Sequence, residues 1–376
     1  MSAGKKLLLL GGGHAHMSIL ASLDRFQELG AEVSVVQPSA FHYYSGMGPG
    51  MLGGTYTPQE IRFATKDVVQ KKGAAFVQDR AVAIDPDSRR VRLQSGTVLE
   101  YDLLSCNVGS SVPAGFVQPQ AEDVFPVKPI EGLIQAKERV LDLVSRRSIS
   151  IAVVGAGPAA VEVAGNLRRL IQGRAGYSAE IILFAGRRLL SRFPPRLGQR
   201  ARQALDDQDV QVREEGYVQA VDTQRIDLPD RTCQVDIIFV ATGVKPSPLF
   251  THSGLATGPD GGLAVNVYLQ SRHFPEIFGG GDCIHFDPQP LDKVGVYAVR
   301  QNPILKANLM AMLRGERLQA FHPGRSYMLL INTGDGRGLL LRDSTVLRGR
   351  WAFWLKDWID RRFMRRFQVM EKDVSL

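Results

Sequence analysis

The chain has 376 residues, too many for one ordinary core, and this length predicts two or three domains. Its formal net charge of +8 favours anionic partners such as dinucleotide phosphates, nucleic acid or an anionic membrane surface. Three widely separated cysteines argue against a disulfide scaffold and for a reducing compartment. Because no apolar run approaches the ~20 residues that span a bilayer, we expect a cytoplasmic location, with any membrane contact peripheral and on the inner face.

The same order of elements occurs twice along the chain. The first copy has an apolar run at 7–10, a glycine loop at 11–16, a helical stretch at 17–29 and a β-rich segment at 32–36. The second copy has a strand at 150–154, a glycine loop at 155–160, a helix to about 171 and a strand at 180–184. Each copy closes with a strand and a turn, which ends at Gly109 in the first and at Gly243 in the second. Two matched β-α-β units predict an α/β fold with two doubly wound, Rossmann-like domains.

The chain beyond the second unit is predicted to return to the first domain, so that the second domain is an insertion. A glycine-rich turn at 279–282 leads into an amphipathic run at 293–313, in which Pro303 implies a kink or an early turn. A small C-terminal α+β region is expected after this, with a β-like piece at 327–347 and a helix-like piece at 350–370.

The stronger glycine loop is Gly155-x-Gly157-x-x-Ala160, which lies between a strand and a helix. The first glycine permits a tight turn, the second lets the backbone approach a pyrophosphate, and a small third residue allows close helix packing. Pro158 and Ala159 would open the helix whose N-terminus stabilises the phosphate charge. The alternative is a glycine turn that binds no ligand.

The first loop, Gly11-x-Gly13-x-x-His16, is a weaker match because His16 stands where a small residue is expected. The repeat and the later motifs favour the same class of ligand, with His14 and Ala15 beside the phosphates. We interpret the loop histidines as packing or phosphate-contacting groups rather than metal ligands, and no metal site is predicted.

The residue at the end of the second strand of such a domain usually carries a carboxylate that binds the ribose hydroxyls. Gln37 stands there in the first unit and can still hydrogen-bond a ribose, so the adenosine of a flavin fits. No carboxylate in the second unit would repel a 2′-phosphate, and Arg187 and Arg188 follow the strand. This favours NADPH, or acceptance of both nucleotides, unless the two arginines are only solvated surface charges.

Asp282 follows Gly281 at a position where a carboxylate can hydrogen-bond a ribityl hydroxyl; the alternative is a helix-capping role. A helix that begins near Lys293 would point its positive end at the flavin pyrimidine, where negative charge accumulates on reduction. Lys293 and Gln301 are therefore predicted to be catalytic, and Tyr297 is predicted to contact a cofactor.

Together these motifs resemble the pyridine nucleotide-disulfide oxidoreductase family over roughly residues 6–320. Within it the chain is most similar to the branch of type II NADH:quinone oxidoreductases and sulfide:quinone reductases. This likeness rests on the stretches 44–50, 155–162 and 298–308. The stretches 11–16, 293–301 and 354–363 also resemble the flavoprotein module fused to selenide, water dikinase. Because this chain lacks the kinase, the resemblance links it to selenium only by association.

The resemblance implies two cofactors, FAD and a hydride donor that is NADH or NADPH. It implies that FAD lies near Gly11, Gly13, Met47, Pro49 and Asp282. The FAD-binding domain would comprise 1–120 and 246–320, the NAD(P)-binding domain 121–245, and the C-terminal region 321–376.

Glu162 has a role that the resemblance alone implies. It would lie beside the nicotinamide and the flavin, where it would orient the ring or handle protons. The alternative is a glutamate near a helix N-terminus, where the helix dipole favours negative charge.

The chain departs from the family pattern in ways that bear on the acceptor. Disulfide reductases need a close pair of redox cysteines, which this sequence lacks. Cys106, Cys233 and Cys283 also do not match the positions that carry sulfur in sulfide:quinone reductases. Asn302 replaces the glycine that usually follows Gln301.

The stretch 350–370 contains all three tryptophans of the chain, interleaved with arginines. Such a pattern is typical of an interfacial helix on an anionic bilayer. The alternative is packing on the protein body or across a homodimer interface. Nucleic acid is not an expected partner, because no recognition-fold signature accompanies the basic residues.

The favoured function is that of an FAD-dependent enzyme that takes hydride from NAD(P)H and passes electrons to a quinone or a similar small acceptor. Two alternatives stay open: a flavin-based redox sensor or partner subunit, with a selenium link, and a sulfide:quinone reductase-like enzyme. Rapid NAD(P)H oxidation with a soluble quinone would favour the enzyme, whereas bound FAD that pyridine nucleotides cannot reduce would favour the sensor.

Overall fold

The computed structural model describes residues 4–113, 115–172 and 177–372. The helices are α1 (Met17–Leu20), α2 (Leu23–Glu28), α3 (Gly48–Leu52), α4 (Thr65–Lys71), α5 (Glu131–Arg146), α6 (Pro158–Ile171), α7 (Pro195–Asp206), α8 (Leu249–His252), α9 (Gly295–Arg314) and α10 (Arg350–Lys372). Short 3₁₀ turns span His14–His16, Ser45–Met47, Gln59–Ile61 and Gly281–Cys283.

The strands fall into three stretches of the chain. The first stretch has β1 (Lys5–Leu10), β2 (Ala31–Val36), β3 (His42–Tyr43), β4 (Arg62–Phe63), β5 (Ala75–Val77), β6 (Ala81–Asp85), β7 (Arg90–Leu93), β8 (Val98–Glu100), β9 (Leu103–Cys106) and β10 (Ser110–Ser111). The second has β11 (Val124–Pro126), β12 (Ile149–Val154), β13 (Ala179–Phe184), β14 (Val210–Arg213), β15 (Ala220–Asp222), β16 (Arg225–Asp227), β17 (Thr232–Gln234), β18 (Ile237–Val240) and β19 (Lys245–Pro246). The third has β20 (Leu263–Val265), β21 (Ile277–Gly279), β22 (Ile284–Phe286), β23 (Leu329–Asn332), β24 (Gly338–Arg342) and β25 (Thr345–Gly349).

A five-stranded parallel sheet forms the core of the first domain, in the order β21-β9-β1-β2-β5. The leucines at 7–10 in β1 are almost completely buried, as expected for a central parallel strand that is covered on both faces. β21 belongs to the segment that returns after the second domain. The sheet of the first domain therefore combines strands that precede the second domain in sequence with one strand that follows it.

A second five-stranded parallel sheet has the order β11-β18-β12-β13-β14. All of its strands lie between residues 124 and 240, inside the interval that separates β10 from β21. The predicted α/β class, with two doubly wound domains of which one is inserted in the other, is confirmed. The domain limits given above stay predictions.

The two domains are joined where their closing strands end. β10 pairs with β19 in an antiparallel ribbon, with residues 110–111 opposite residues 245–246. β10 comes directly after Gly109, and β19 begins two residues after Gly243. Because the pairing is antiparallel, the two glycine turns lie at opposite ends of this ribbon.

Two helix predictions need correction. The stretch predicted at 17–29 forms two helices, because Ser22 leaves the helical conformation with φ −127° and ψ 28°. Lys306 of α9 donates a hydrogen bond of 2.8 Å to the Ser22 hydroxyl at this break. Of the kink or early turn predicted at Pro303, the early turn is wrong: α9 continues past this residue to Arg314, and Gly315, whose φ is 72°, caps its C-terminus.

The C-terminal region is an antiparallel meander, β23-β24-β25, followed by α10. One face of α10 is buried against the meander and the first domain through Ala352, Met364 and Phe367. Along the described part of the chain, no helix is both long enough and apolar enough to cross a membrane.

Candidate functional site

The glycine loop of the second domain is shaped for a phosphate. Gly155 has φ +150°, and a Cβ there would overlap the carbonyl oxygen of Ala241, so the turn requires glycine. No described atom lies within 4 Å of the place where a Cβ on Gly157 would stand. Pro158 begins α6, and no described side chain caps this helix, so its positive N-terminal end lies beside Gly157. Ala159 is exposed on the same first turn.

The first glycine loop is closed around Asn107, which follows β9. A Cβ on Gly11, whose φ is +84°, would overlap the Asn107 carbonyl oxygen, and a Cβ on Gly13 would overlap Asn107 Oδ1. Asn107 Oδ1, His14 Nε2 and Thr65 Oγ1 are buried, and none of them has a hydrogen-bond partner among the described residues. Buried polar atoms are normally satisfied, so these three match a polar ligand such as the diphosphate and ribose of FAD.

His16 explains the departure of this loop from the usual pattern. Its Nδ1 lies 2.6 Å from the Gly11 carbonyl oxygen, and its Nε2 lies 2.8 Å from Ser105 Oγ. Burial lowers the pKa of His16 to about 4, so the ring is neutral at physiological pH. The histidine thus packs the loop against β9, and the adjacent Ala15 is completely buried.

Gln37 lies at the end of β2, as predicted, but its amide contacts the protein backbone. Its Oε1 accepts a hydrogen bond of 2.9 Å from the Gly12 N–H. Its Nε2 donates to the carbonyl oxygens of Ser39 and Phe41, at 2.6 Å and 3.0 Å. Gln37 therefore holds the glycine loop in place, and its predicted contact with a ribose stays a prediction.

Four other residues predicted to bind cofactors lie in turns or at the start of a short helix. Met47 is buried in a 3₁₀ turn, and Pro49 opens α3. Gly109 and Gly243 have φ of +70° and +94°, and no described atom lies within 4 Å of a Cβ placed on either. The ribbon that joins the domains is therefore flanked by open space on both sides.

Asp282 lies in a 3₁₀ turn after β21, where it is paired with a lysine that the sequence analysis missed. Its Oδ2 accepts hydrogen bonds of 2.7 Å from Lys128 Nζ and 2.8 Å from the Ser110 hydroxyl. Burial alone would raise the pKa of Asp282, but the charge and hydrogen bond of Lys128 outweigh burial and lower it. Asp282 is thus an ionised acceptor close to the first glycine loop.

The site residues predicted at the start of α9 and in the turn before it lie around one small cavity of about 10 Å³. Its lining includes Gly281, Asp282, Lys293, Tyr297 and Gln301. Gln301 Oε1 accepts a hydrogen bond of 2.7 Å from the Gly281 N–H. Lys293 Nζ lies 2.7 Å from Asp260 and also donates to a backbone carbonyl. Its ammonium is therefore engaged, and a catalytic role for it stays a prediction.

Glu162 lies in a different cluster, between α6 and the C-terminal region. Its Oε1 accepts a hydrogen bond of 2.8 Å from the Asn332 N–H and lies 4.0 Å from Lys356 Nζ. Lys356 donates at 2.7 Å to Asp360, which also accepts 2.9 Å from the Tyr44 hydroxyl. Neither Lys356 nor Asp360 is among the site residues that the sequence predicts.

The electrostatics of this cluster favour protonation of Glu162. Burial raises the pKa of Glu162, although Lys356 and the Asn332 N–H act in the opposite direction. For Lys356, burial alone would lower the pKa, but Asp360 and Glu162 outweigh burial and raise it. The cluster therefore combines a firmly charged ammonium with a carboxyl that takes up a proton more readily than usual.

The C-terminal helix also reaches the first glycine loop. The ring of Phe363 stacks on His14 at 5.4 Å and on Tyr44 at 5.0 Å. Burial lowers the pKa of His14 to about 4, so this ring is neutral. α10 thus covers the site from the side of the first domain.

Arg187 and Arg188 lie on the exposed turn after β13, and Arg188 donates a hydrogen bond of 2.6 Å to the Ser191 carbonyl oxygen. Their predicted contact with a 2′-phosphate stays a prediction. Within the described ranges, no group of three or more His, Cys, Asp or Glu side chains is placed to hold a metal ion.

The family profile described as pyridine nucleotide-disulphide oxidoreductase matches residues 5–302. The chain belongs to this family. Membership confirms the predicted family and the predicted use of FAD with a pyridine nucleotide. The matched range of this oxidoreductase includes both glycine loops and the turn that carries Asp282.

Several known proteins are similar to this oxidoreductase along nearly their whole length. A type II NADH:quinone oxidoreductase of Staphylococcus aureus is 24% identical, with 95% of this chain and 94% of that protein covered. NDH2 from Plasmodium falciparum in complex with NADH has a TM-score of 0.79 at 13% identity, with 98% of both chains covered. Sulfide:quinone oxidoreductase from Aquifex aeolicus has a TM-score of 0.77 at 15% identity, with 97% and 92% covered. The two solved structures support the fold.

Gly157→Ala tests the phosphate cradle of the second domain. A Cβ there meets no described atom, so Tm should not change, whereas a methyl group would keep the pyrophosphate from the backbone. We expect KM for NADH to rise about tenfold, or about 1.4 kcal/mol, with bound FAD unchanged. Gly132→Ala is the control, because its Cβ would make only an ordinary contact of 3.6 Å with the Pro126 carbonyl oxygen. An unchanged KM in Gly157→Ala would contradict the assignment.

Proposed function

We propose that this chain is an FAD-dependent oxidoreductase that oxidises NADH or NADPH and reduces a quinone or a similar small acceptor. The observation that carries the proposal is the pair of glycine loops, each shaped for a phosphate, on two domains that contact each other through α3 and through the ribbon of β10 and β19. Two dinucleotides held in this way are what direct hydride transfer between them requires.

Each cofactor is assigned its own set of residues. Gly11, Gly13, His14, Ala15 and Asp282 hold FAD, which when bound accepts a hydride from the nicotinamide and passes the electrons on. The backbone N–H groups at the start of α6 hold the diphosphate of the nicotinamide nucleotide, with Gly155 and Gly157 allowing its close approach. The neutral His14 ring adds no charge beside the flavin phosphates.

The two buried thiols of this chain are unsuited to carry electrons or sulfur. Cys106, Cys233 and Cys283 are all described, and all are free cysteines. Burial raises the pKa of Cys283 to about 11 and that of Cys106 well above its usual value. Since the thiolate is the reactive form, these two buried thiols are inert at neutral pH. Neither buried thiol therefore serves as the acceptor, and the names of the relatives in S. aureus and A. aeolicus favour a quinone.

Reduction of a quinone by NADH consumes one proton per turnover, because NADH supplies a hydride and the quinol needs two electrons and two protons. Glu162 is the group that we assign to this proton. It is buried, its pKa is raised, and it lies on the helix that begins at the second glycine loop.

The decisive experiment for the proposal is a visible spectrum of the purified protein before and after anaerobic addition of NADH or NADPH. A yellow protein that bleaches, and regains its colour with a soluble quinone, supports the function. A colourless protein that does not bind added FAD would end the proposal.

Steady-state kinetics with each nucleotide test Arg187 and Arg188, since a strong preference for NADH would exclude their role in binding a 2′-phosphate.

The exposed face of α10 is proposed to lie on an anionic bilayer. Trp351, Trp354 and Trp358 are spaced three and four residues apart, and their exposed fractions lie between 44% and 62%. Arg362 lies over the Trp358 ring at 5.3 Å, and the arginines that follow on α10 are exposed. Aromatic rings flanked by arginines suit the headgroup region of an anionic membrane.

The double variant Trp354→Ser/Trp358→Ser should bind vesicles of phosphatidylglycerol about tenfold more weakly, or weaker still. Two indole rings that enter the bilayer contribute several kcal/mol to the binding free energy. Cosedimentation at two salt concentrations measures the effect. Tyr217→Ser, at an equally exposed aromatic far from α10 in sequence, is the control. Equal binding by all three proteins would exclude the tryptophan face as the contact.

A further inference from the structure

The cluster between α6 and α10 has unequal numbers of charges. Glu162, Asp360 and Lys356 have side-chain exposures of only 13%, 7% and 11%. Two carboxyl groups thus share one ammonium in a buried space. Since an uncompensated buried charge is strongly unfavourable, one of the two carboxyl groups favours its protonated form.

The ammonium is not shared equally. Lys356 Nζ lies 2.7 Å from Asp360 and 4.0 Å from Glu162, and its position is fixed by a further hydrogen bond of 2.7 Å to the Gly46 carbonyl oxygen. The Tyr44 hydroxyl donates to the other oxygen of Asp360. Asp360 therefore has two strong donors, whereas Glu162 has one backbone N–H and a distant ammonium.

The other polar groups around the cluster do not alter this balance. Burial raises the pKa of Tyr44 well above its usual value, so its hydroxyl stays neutral. Asp357, on the same helix, is engaged by Arg361 at 2.9 Å and by the Tyr56 hydroxyl at 2.8 Å. Arg361 also pairs with Glu60 at 2.9 Å, and the charge of Asp357 contributes less than those of Asp360 and Glu162 to the raised pKa of Lys356.

We propose that Asp360 is a positioning residue: by capturing Lys356 it leaves Glu162 without a full counter-charge and so keeps Glu162 able to hold and release a proton. The inference rests on the proposed function, in which Glu162 gives its proton to a quinone oxygen while the hydride from NADH supplies the two electrons and the other hydrogen. Water then returns a proton to the Glu162 carboxylate. Without Asp360, Lys356 would hold Glu162 ionised.

Asp360→Asn tests this directly. The amide can still accept the Tyr44 hydrogen bond, but Lys356 loses its partner and becomes available to Glu162. Turnover that needs protonated Glu162 falls as pH rises, and we expect this descending limb of kcat to move to lower pH by about one unit. Asp357→Asn is the matched control, since it removes a carboxylate of the same helix and should leave the limb in place. A limb that stays, or moves to higher pH, in Asp360→Asn would overturn the proposal.

A second measurement separates this inference from the proposed function. The infrared carbonyl band of protonated Glu162, assigned by subtraction of the Glu162→Gln spectrum, should disappear at lower pH in Asp360→Asn than in the wild-type protein. An unshifted band contradicts the role of Asp360 whether or not the protein turns over. Failure of NADH to bleach the wild-type protein would instead contradict the proposed function, and the infrared titration would still decide the role of Asp360.

Discussion

Glu162→Gln is expected to lower kcat for quinone reduction by about 100-fold, the usual contribution of a positioned proton donor. The amide oxygen can keep the hydrogen bond from the Asn332 N–H, so the fold around α6 is preserved. An amide, however, cannot release a proton to the acceptor. Anaerobic bleaching by NADH, followed by stopped flow, should proceed at close to the wild-type rate, because that half of the reaction needs no proton from Glu162.

The control variants separate the proton from the shape of the side chain. Glu162→Asp retains a carboxyl and should recover part of the activity, whereas Glu180→Gln changes an exposed glutamate on β13 and should have no effect. If Glu162→Gln slows the bleaching by NADH as much as it slows quinone reduction, Glu162 serves the nicotinamide instead. That result would favour an orienting role for this residue.

The parts of the fold that depend on local sequence could be predicted. Gly11 and Gly155 adopt a positive φ, and a Cβ on Gly13 would overlap Asn107, so three of the four loop glycines are constrained by their own surroundings. The repeated order of strand, loop and helix then determined the two sheets, because a parallel β-α-β crossover has few alternatives. The insertion followed from the glycine-rich turn before Asp282.

The charged partners could not be predicted, because they are far apart in sequence. Lys128 meets Asp282 across 154 residues, and Lys356 lies 4.0 Å from a glutamate in the second domain. No sequence motif includes Lys128, and Lys356 and Asp360 stand in a stretch whose pattern is typical of an interfacial helix. Only the packing of α10 against the first domain shows that this stretch has a buried face with charges and an exposed face with tryptophans. Packing on the protein body therefore accounts for one face of α10, and contact with a membrane stays a proposal for the other.

Asp282→Ala should yield a protein that has lost most of its flavin, with the ratio of flavin to protein absorbance reduced about tenfold or more. The substitution removes the ionised acceptor near the first glycine loop. It also leaves the Lys128 ammonium, whose side chain is only 23% exposed, without its partner. We therefore expect a decrease of about 2 kcal/mol in the free energy of unfolding, below the 3–5 kcal/mol of a fully buried pair because Lys128 keeps some contact with water. Asp282→Asn keeps an acceptor for the Ser110 hydroxyl. Its flavin content and its free energy of unfolding should lie between those of the wild-type protein and Asp282→Ala.

The double variant Lys128→Met/Asp282→Ala distinguishes flavin binding from folding. Removing both charges ends the penalty of an unpaired ammonium, so the stability of the apoprotein should recover most of the loss. Flavin content should not recover, because the carboxylate that accepts from the ribityl chain is still missing. If stability and flavin content recover together, Asp282 acts only by neutralising Lys128, and its assignment as a direct ligand of FAD is wrong.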